Sequence, residues 1–105
     1  MKALPNWYQD FRKHYPQISA ASDALGETVS AAGPLDEKTR ELVKLGIALG
    51  AGLEGGVHAH VRRACAAGAS TDEIRHAALL AISTLGFPAA MAGLSWVEDL
   101  LKRGK

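Results

Sequence analysis

Glu41 and His60 are the two side chains whose surroundings best suit proton transfer. On a helical wheel Glu41 borders an apolar stripe that includes Leu45, and the neighbours of His60 on its own helix are apolar or small. The imidazole is therefore predicted to point into the core, where it needs a hydrogen-bond partner. A carboxylate at that place would form a proton-transfer pair with it. The structural alternatives are a surface glutamate paired with a nearby lysine and a core histidine that makes one hydrogen bond.

Glu54 and His58 are a second pair with chemical potential, because they lie one helical turn apart. Their face is nearly opposite to that of His60, since two residues rotate a helix by about 200°. A carboxylate and an imidazole supply two of the three or four ligands that a tight metal site uses. His76 is the candidate third ligand within the chain, and another subunit is the other source. The alternative is an interface or ion-pair role for this face, which also carries Arg62.

Two other motifs give weaker signals. Cys65 is the single cysteine, so no internal disulfide can form, and its alanine neighbours predict a small buried apolar residue. Gly50, Gly52 and Gly55 match the G-x-G-x-x-G spacing of a dinucleotide-binding loop. That loop has to follow a strand, whereas the charged residues before it recur at helical spacing. We therefore interpret these glycines as a turn between two helices.

The elements that carry these residues are predicted to be helices. Alanine is the commonest residue, strand-forming residues are scarce, and no segment alternates with period two. The clearest helix start is the capping box Ser70-Thr71-Asp72-Glu73. The fold class is thus all-α, with five to six helices: an aromatic segment before residue 16, then segments near 19–32, 36–49, 53–67, 70–82 and 88–101.

Composition and charge limit the classes of function. The 105 residues are 48% hydrophobic and 22% charged, which is typical of one soluble domain, here a helical arm at 1–34 and a core at 35–105. The net charge of +1 argues against nucleic-acid binding. No apolar segment reaches the roughly 20 residues of a bilayer crossing, and no signal peptide is recognisable. We therefore expect a cytoplasmic protein without a membrane partner.

Residues 35–96 resemble the carboxymuconolactone decarboxylase family, whose superfamily includes the alkylhydroperoxidase AhpD. Three segments carry the resemblance: Leu35-Asp36-Glu37-Lys38-Thr39-Arg40-Glu41-Leu42; His60 followed by Ala64, Gly68 and the cap at residues 71–74; and Gly86-Phe87-Pro88-Ala89-Ala90. The resemblance implies an AhpD-like helical protomer that assembles as a trimer or hexamer. The small size of the chain and the apolar residues on two faces of its fourth helix agree with self-association.

The peroxidase branch of this superfamily uses a glutamate, a Cys-x-x-Cys pair and a following histidine. Glu41 and His60 correspond to the first and last of these, but the cysteine positions fall on Leu53 and Gly56. Neither residue can form a thiolate or a disulfide. Thiol-dependent hydroperoxide reduction is therefore expected to be absent or weak, and an antioxidant activity that relies on Cys65 is kept as an alternative.

The decarboxylase branch lacks the cysteine pair, so the resemblance implies a lyase that acts on a small organic acid or lactone without a cofactor. His60 is then the acid–base group and Glu41 its partner. A cation has to hold the substrate carboxylate. The candidates for this role are Arg62, Arg63 and Arg40. A non-enzymatic oligomeric binding module, with Glu54 and His58 at a metal or interface site, is the remaining alternative.

Overall fold

The computed structural model describes residues 4–101, and every regular element in this range is an α-helix, which confirms the predicted class. None of these helices combines the length and hydropathy that a membrane span requires. The described residues divide into two compact units, 4–35 and 36–101. The helices are α1 (Asn6–His14), α2 (Pro16–Ser30), α3 (Glu37–Gly50), α4 (Glu54–Ala66), α5 (Thr71–Leu79), α6 (Ala81–Leu85) and α7 (Phe87–Leu101).

The first unit consists of α1 and α2. Helix α2 begins at Pro16, three residues before the predicted start, because proline at the first helical position loses no backbone hydrogen bond. Along α1, the rings of Tyr8 and Phe11 are stacked with their centroids 6.3 Å apart. The ring of Tyr15 continues this row, 6.0 Å from that of Phe11. The rings of the aromatic segment before residue 16 thus form one continuous strip.

The second unit is built around α3, α4 and α7. Helix α4 packs against both α3 and α7, while α5 and α6 also pack against α7. Most of the buried side chains are small or β-branched, which lets the helix axes approach closely. They are Leu45, Ala48, Leu49, Val57, Val61, Ala64, Ile74, Ala78, Ala81, Ala90, Val97 and Leu100.

The two helices of the α3–α4 hairpin, which carries the candidate pair, are each followed by a glycine that closes the helix. Gly52 has a φ of 72°, a left-handed conformation that favours glycine. The N–H groups of Gly52 and Leu53 donate to the carbonyls of Leu49 and Ala48, at 3.0 and 2.9 Å. This is a Schellman motif, and Gly68 (φ 95°) closes α4 in the same way. The glycines therefore form a helix–helix turn, as predicted, and not a dinucleotide loop.

The segment predicted as one helix over residues 70–82 is two helices, so seven helices are present in residues 4–101. The two helices are separated at Leu80, whose φ of −61° and ψ of −21° are close to 3₁₀ values. Its N–H still donates to the carbonyl of His76 at 3.0 Å. The hydrogen-bonded backbone thus continues through Leu80, and α6 ends at Leu85, before Gly86 with its φ of 103°.

The predicted capping box at the start of α5 is present. Ser70 Oγ accepts from the Glu73 N–H at 3.0 Å, and Glu73 Oε1 accepts from the Ser70 N–H at 2.9 Å. The Ser70 N–H, together with the Lys38 ammonium 3.0 Å away, lowers the pKa of Glu73. The cap therefore also connects the start of α5 to α3 through an ion pair.

Ser70→Ala is expected to lower the free energy of unfolding by about 1 kcal/mol, because the Glu73 N–H loses its acceptor at the helix start. Urea unfolding of the full chain, followed by circular dichroism, measures the change. Ser83→Ala, at an exposed position in α6, is the matched control and should change stability by less than about 0.5 kcal/mol. Equal effects of the two substitutions would contradict the assigned capping role.

Candidate functional site

The α3–α4 hairpin brings Glu41 and His60 into direct contact. Glu41 lies in the first half of α3 and His60 in the middle of α4, and the turn between them makes the helices run past each other. Glu41 Oε1 and His60 Nδ1 are 2.8 Å apart. Their side chains are 11% and 18% exposed, so the pair is mostly buried but is not sealed from solvent.

The contact with Glu41 determines which ring nitrogen of His60 is left for a ligand. An ionised carboxylate can only accept a hydrogen bond, so Nδ1 carries the proton that it donates to Glu41. Within residues 4–101 no buried side-chain nitrogen or oxygen lacks a hydrogen-bond partner, and Glu41 is the only polar contact of His60 found there. Nε2 must therefore reach the accessible surface. It can accept a proton from, or donate one to, a molecule bound beside α4.

The three candidate arginines lie at different places around this pair. Arg63 follows His60 by three residues on α4, so it lies on the same side of that helix, and it is exposed. Arg62 follows His58 by four residues and therefore belongs to the other face. Arg40 precedes Glu41 on α3, is half-buried, and has an interaction partner of its own. Arg63 is thus the candidate arginine that shares a helix face with His60.

The predicted metal-ligand group of Glu54 and His58 also comes together in the structure, but its third member is Asp99 and not His76. His58 Nε2 lies 3.0 Å from Asp99 Oδ2 of α7, and Glu54 completes the group, with one ligand atom of each residue within 4.8 Å of the others. His76 is not a member, because it lies on α5 and lines a different cavity. The contribution of Asp99 was missed, since the packing of α7 on α4 leaves no signature in residue spacing.

A cavity of about 570 Å³ lies between α3, α5 and α6. Its lining is mainly apolar, and its polar members include Thr39, Glu73 and His76. Neither Glu41 nor His60 lines it, so this cavity is separate from the Glu41–His60 pair. Apolar lining residues include Leu42, Val43, Leu49, Ala77, Leu80 and Leu85.

The positions that carry cysteines in the peroxidase branch are occupied by side chains without redox chemistry. Leu53 is half-exposed just before α4, and Gly56 lies where α4 approaches α3. A Cβ at position 56 would lie 3.1 Å from Ala48 Cβ, which is a tight contact. Cys65 is partly buried, and this burial raises the pKa of its thiol. A raised pKa disfavours the thiolate that attack on a peroxide requires.

The structure is that of a small all-helical protein in which a carboxylate and an imidazole form a mostly buried hydrogen-bonded pair. The family model for the carboxymuconolactone decarboxylase family matches residues 16–99, and the chain belongs to that family. The match extends into α2, beyond the segment in which the sequence resemblance was visible.

Two solved structures have the same fold. The apo form of a carboxymuconolactone decarboxylase family protein from Legionella pneumophila aligns with a TM-score of 0.78 and 23% identity, over 94% of this chain and 88% of its own. A candidate carboxymuconolactone decarboxylase from Burkholderia xenovorans LB400 aligns with a TM-score of 0.67 and 22% identity, over 95% and 81% of the two chains. No curated protein matches the sequence significantly.

Proposed function

We propose that this protein is an acid–base catalyst of the lyase type that acts on a small organic acid or lactone, with His60 as the proton-transferring group. The observation that supports this most directly is the 2.8 Å contact between Glu41 Oε1 and His60 Nδ1, which leaves Nε2 available to a ligand. Glu41 is a positioning residue, because it orients the ring and stabilises the imidazolium without touching the substrate.

Decarboxylation of a carboxylated lactone is the reaction that suits this pair. The carbon–carbon bond to the carboxylate breaks, CO₂ leaves, and the electron pair remains on the ring carbon as an enolate of the lactone. The Nε2–H of protonated His60 donates its proton to that carbon, so that a new C–H bond forms. His60 then takes a proton from water, and the cycle consumes one proton for each CO₂ released.

The binding of such a substrate needs a cation and a surface that excludes water. Arg63 is our first candidate for the cation, with Arg62 and Arg40 as the other two residues of this set. No metal or organic cofactor is part of the proposed reaction.

Self-association into a trimer or hexamer is part of the same proposal. It is supported by the many large apolar side chains that stay exposed in residues 36–101. Examples are Val43, Ile47, Leu80, Leu85 and Phe87.

The proposal is tested by incubating the full-length protein with carboxymuconolactone and a series of smaller carboxylated lactones in D₂O. The expected result is CO₂ release with one deuterium incorporated into the product at the carbon that lost the carboxylate or one conjugated with it. Cys65→Ser is the matched control and should retain full turnover, whereas an activity that relied on this thiol would disappear. Absence of CO₂ release from every lactone of the series would contradict the proposal.

A further inference from the structure

We propose that Glu54, His58 and Asp99 bind a divalent transition-metal ion, with Zn²⁺ as the representative ion. Glu54 and His58 lie one turn apart on α4, and Asp99 lies near the end of α7, which packs against α4. The group therefore joins two different helices of the second unit. It lies on the face of α4 nearly opposite to His60, so it is separate from the Glu41–His60 pair.

The distances are close to those of a metal site. One ligand atom of each residue lies within 4.8 Å of the others, and His58 Nε2 is already 3.0 Å from Asp99 Oδ2. Bonds of about 2.1 Å in tetrahedral geometry place ligand atoms about 3.4 Å apart. The side chains of Glu54 and Asp99 are exposed, so rotations that move their carboxylate oxygens by about 1 Å can bring the ligand atoms to this separation without disturbing the core.

The charges also favour a cation over a simple ion pair. One carboxylate is enough to partner the imidazole, yet Glu54 brings a second one to the same place. Two carboxylates at this separation repel each other, and a divalent ion between them removes that repulsion. Arg62 also lies on this face of α4, but one arginine offsets only one of the two negative charges.

The ligand types determine the class of ion. One imidazole nitrogen and two carboxylate oxygens suit borderline ions such as Zn²⁺, Co²⁺ or Mn²⁺ better than soft Cu⁺. Three protein ligands also leave at least one coordination position for water. His58 is only 20% exposed, so its ring is held in place by the surrounding helices, while the two carboxylates close over the ion from the solvent side.

The test is equilibrium dialysis of chelator-treated full-length protein against ZnCl₂, combined with the thermal unfolding midpoint at each Zn²⁺ concentration. We expect one Zn²⁺ per chain and a midpoint that rises with Zn²⁺. Mutation of a residue that only hydrogen-bonds to a metal ligand typically weakens metal binding about 10–100-fold. Removal of a direct ligand should therefore weaken Zn²⁺ binding at least about tenfold. The variants are His58→Gln, Asp99→Asn and Glu54→Gln.

His76→Gln is the matched control, because it removes an exposed histidine of α5 that does not belong to the Glu54–His58–Asp99 group and should leave Zn²⁺ binding unchanged. Glu54→Gln alters an exposed side chain of α4 and therefore tests the site even where His58→Gln does not fold. Absence of saturable Zn²⁺ binding by the wild-type protein would overturn the proposal. Wild-type affinity in Glu54→Gln and Asp99→Asn, or an equal loss in His76→Gln, would overturn it as well.

Discussion

His60→Gln is expected to lower kcat/KM for the carboxylated lactone substrate by about 10²–10⁴-fold, the usual contribution of a positioned general acid–base group. Glutamine can hydrogen-bond to Glu41, but its amide cannot carry a proton to the enolate. The ring nitrogen that is lost is Nε2, for which no hydrogen-bond partner is found within residues 4–101. Steady-state CO₂ release, with solvent deuterium incorporation into product, measures the effect.

Glu41→Gln distinguishes the positioning role from a merely structural one. The amide can present either its oxygen or its NH₂ group to Nδ1, so the tautomer of His60 is no longer fixed and the imidazolium loses its counter-charge. Turnover should fall and its pH profile should change, while the double variant with His60→Gln should be no worse than His60→Gln alone. Additive losses, or wild-type turnover in His60→Gln with an unchanged thermal midpoint, would refute the assignment.

Gly93→Ala is expected to destabilise the protein by about 1–3 kcal/mol, because α7 passes directly over the side chain of Leu49 at this glycine. A Cβ built on Gly93 would overlap three carbon atoms of the Leu49 side chain, which is itself buried in α3. The leucine cannot move aside without opening the core that aligns α3 with α7. Urea unfolding at neutral pH measures the loss.

Gly46→Ala is the matched control, since this glycine is also helical but a Cβ there meets nothing within 4 Å. It should leave stability unchanged or raise it by up to about 1 kcal/mol, because alanine favours the helix. Leu49→Ala combined with Gly93→Ala should cost less than the sum of the two single changes. A Gly93→Ala protein as stable as Gly46→Ala would show that the close approach does not exist.

The sequence was sufficient to predict those features that depend on local spacing. The capping box at Ser70, the glycine turn at Gly52 and the apolar stripe beside Glu41 are all set by residues within one or two helical turns. The proximity of Glu41 and His60 was implied by the family resemblance, and the structure explains it by the short turn that packs α3 and α4 side by side. The role of the pair as an acid–base unit remains a prediction.

Features that depend on the packing of distant helices were not predictable in the same way. Asp99 joins Glu54 and His58 only because α7 lies against α4, and its spacing from neighbouring residues gives no sign of this. The division into α5 and α6 at Leu80 leaves no sign in the apolar pattern, which continues through it. The cavity between α3, α5 and α6 likewise arises from three helices at once and lies away from the face expected to hold the ligand.

The Schellman closure at Gly52 has an evolutionary consequence. The turn and the register of the two helices are held by main-chain bonds and one left-handed glycine, and the N-cap residue Leu53 adds no side-chain cap. Exposed side chains beside this turn, such as Leu53, can therefore be exchanged while Glu41 and His60 keep their alignment, whereas the close approach of Gly56 to Ala48 restricts that position to small residues. Under the proposed function, substitutions at such exposed positions alter the surface that a substrate meets without separating the carboxylate from the imidazole.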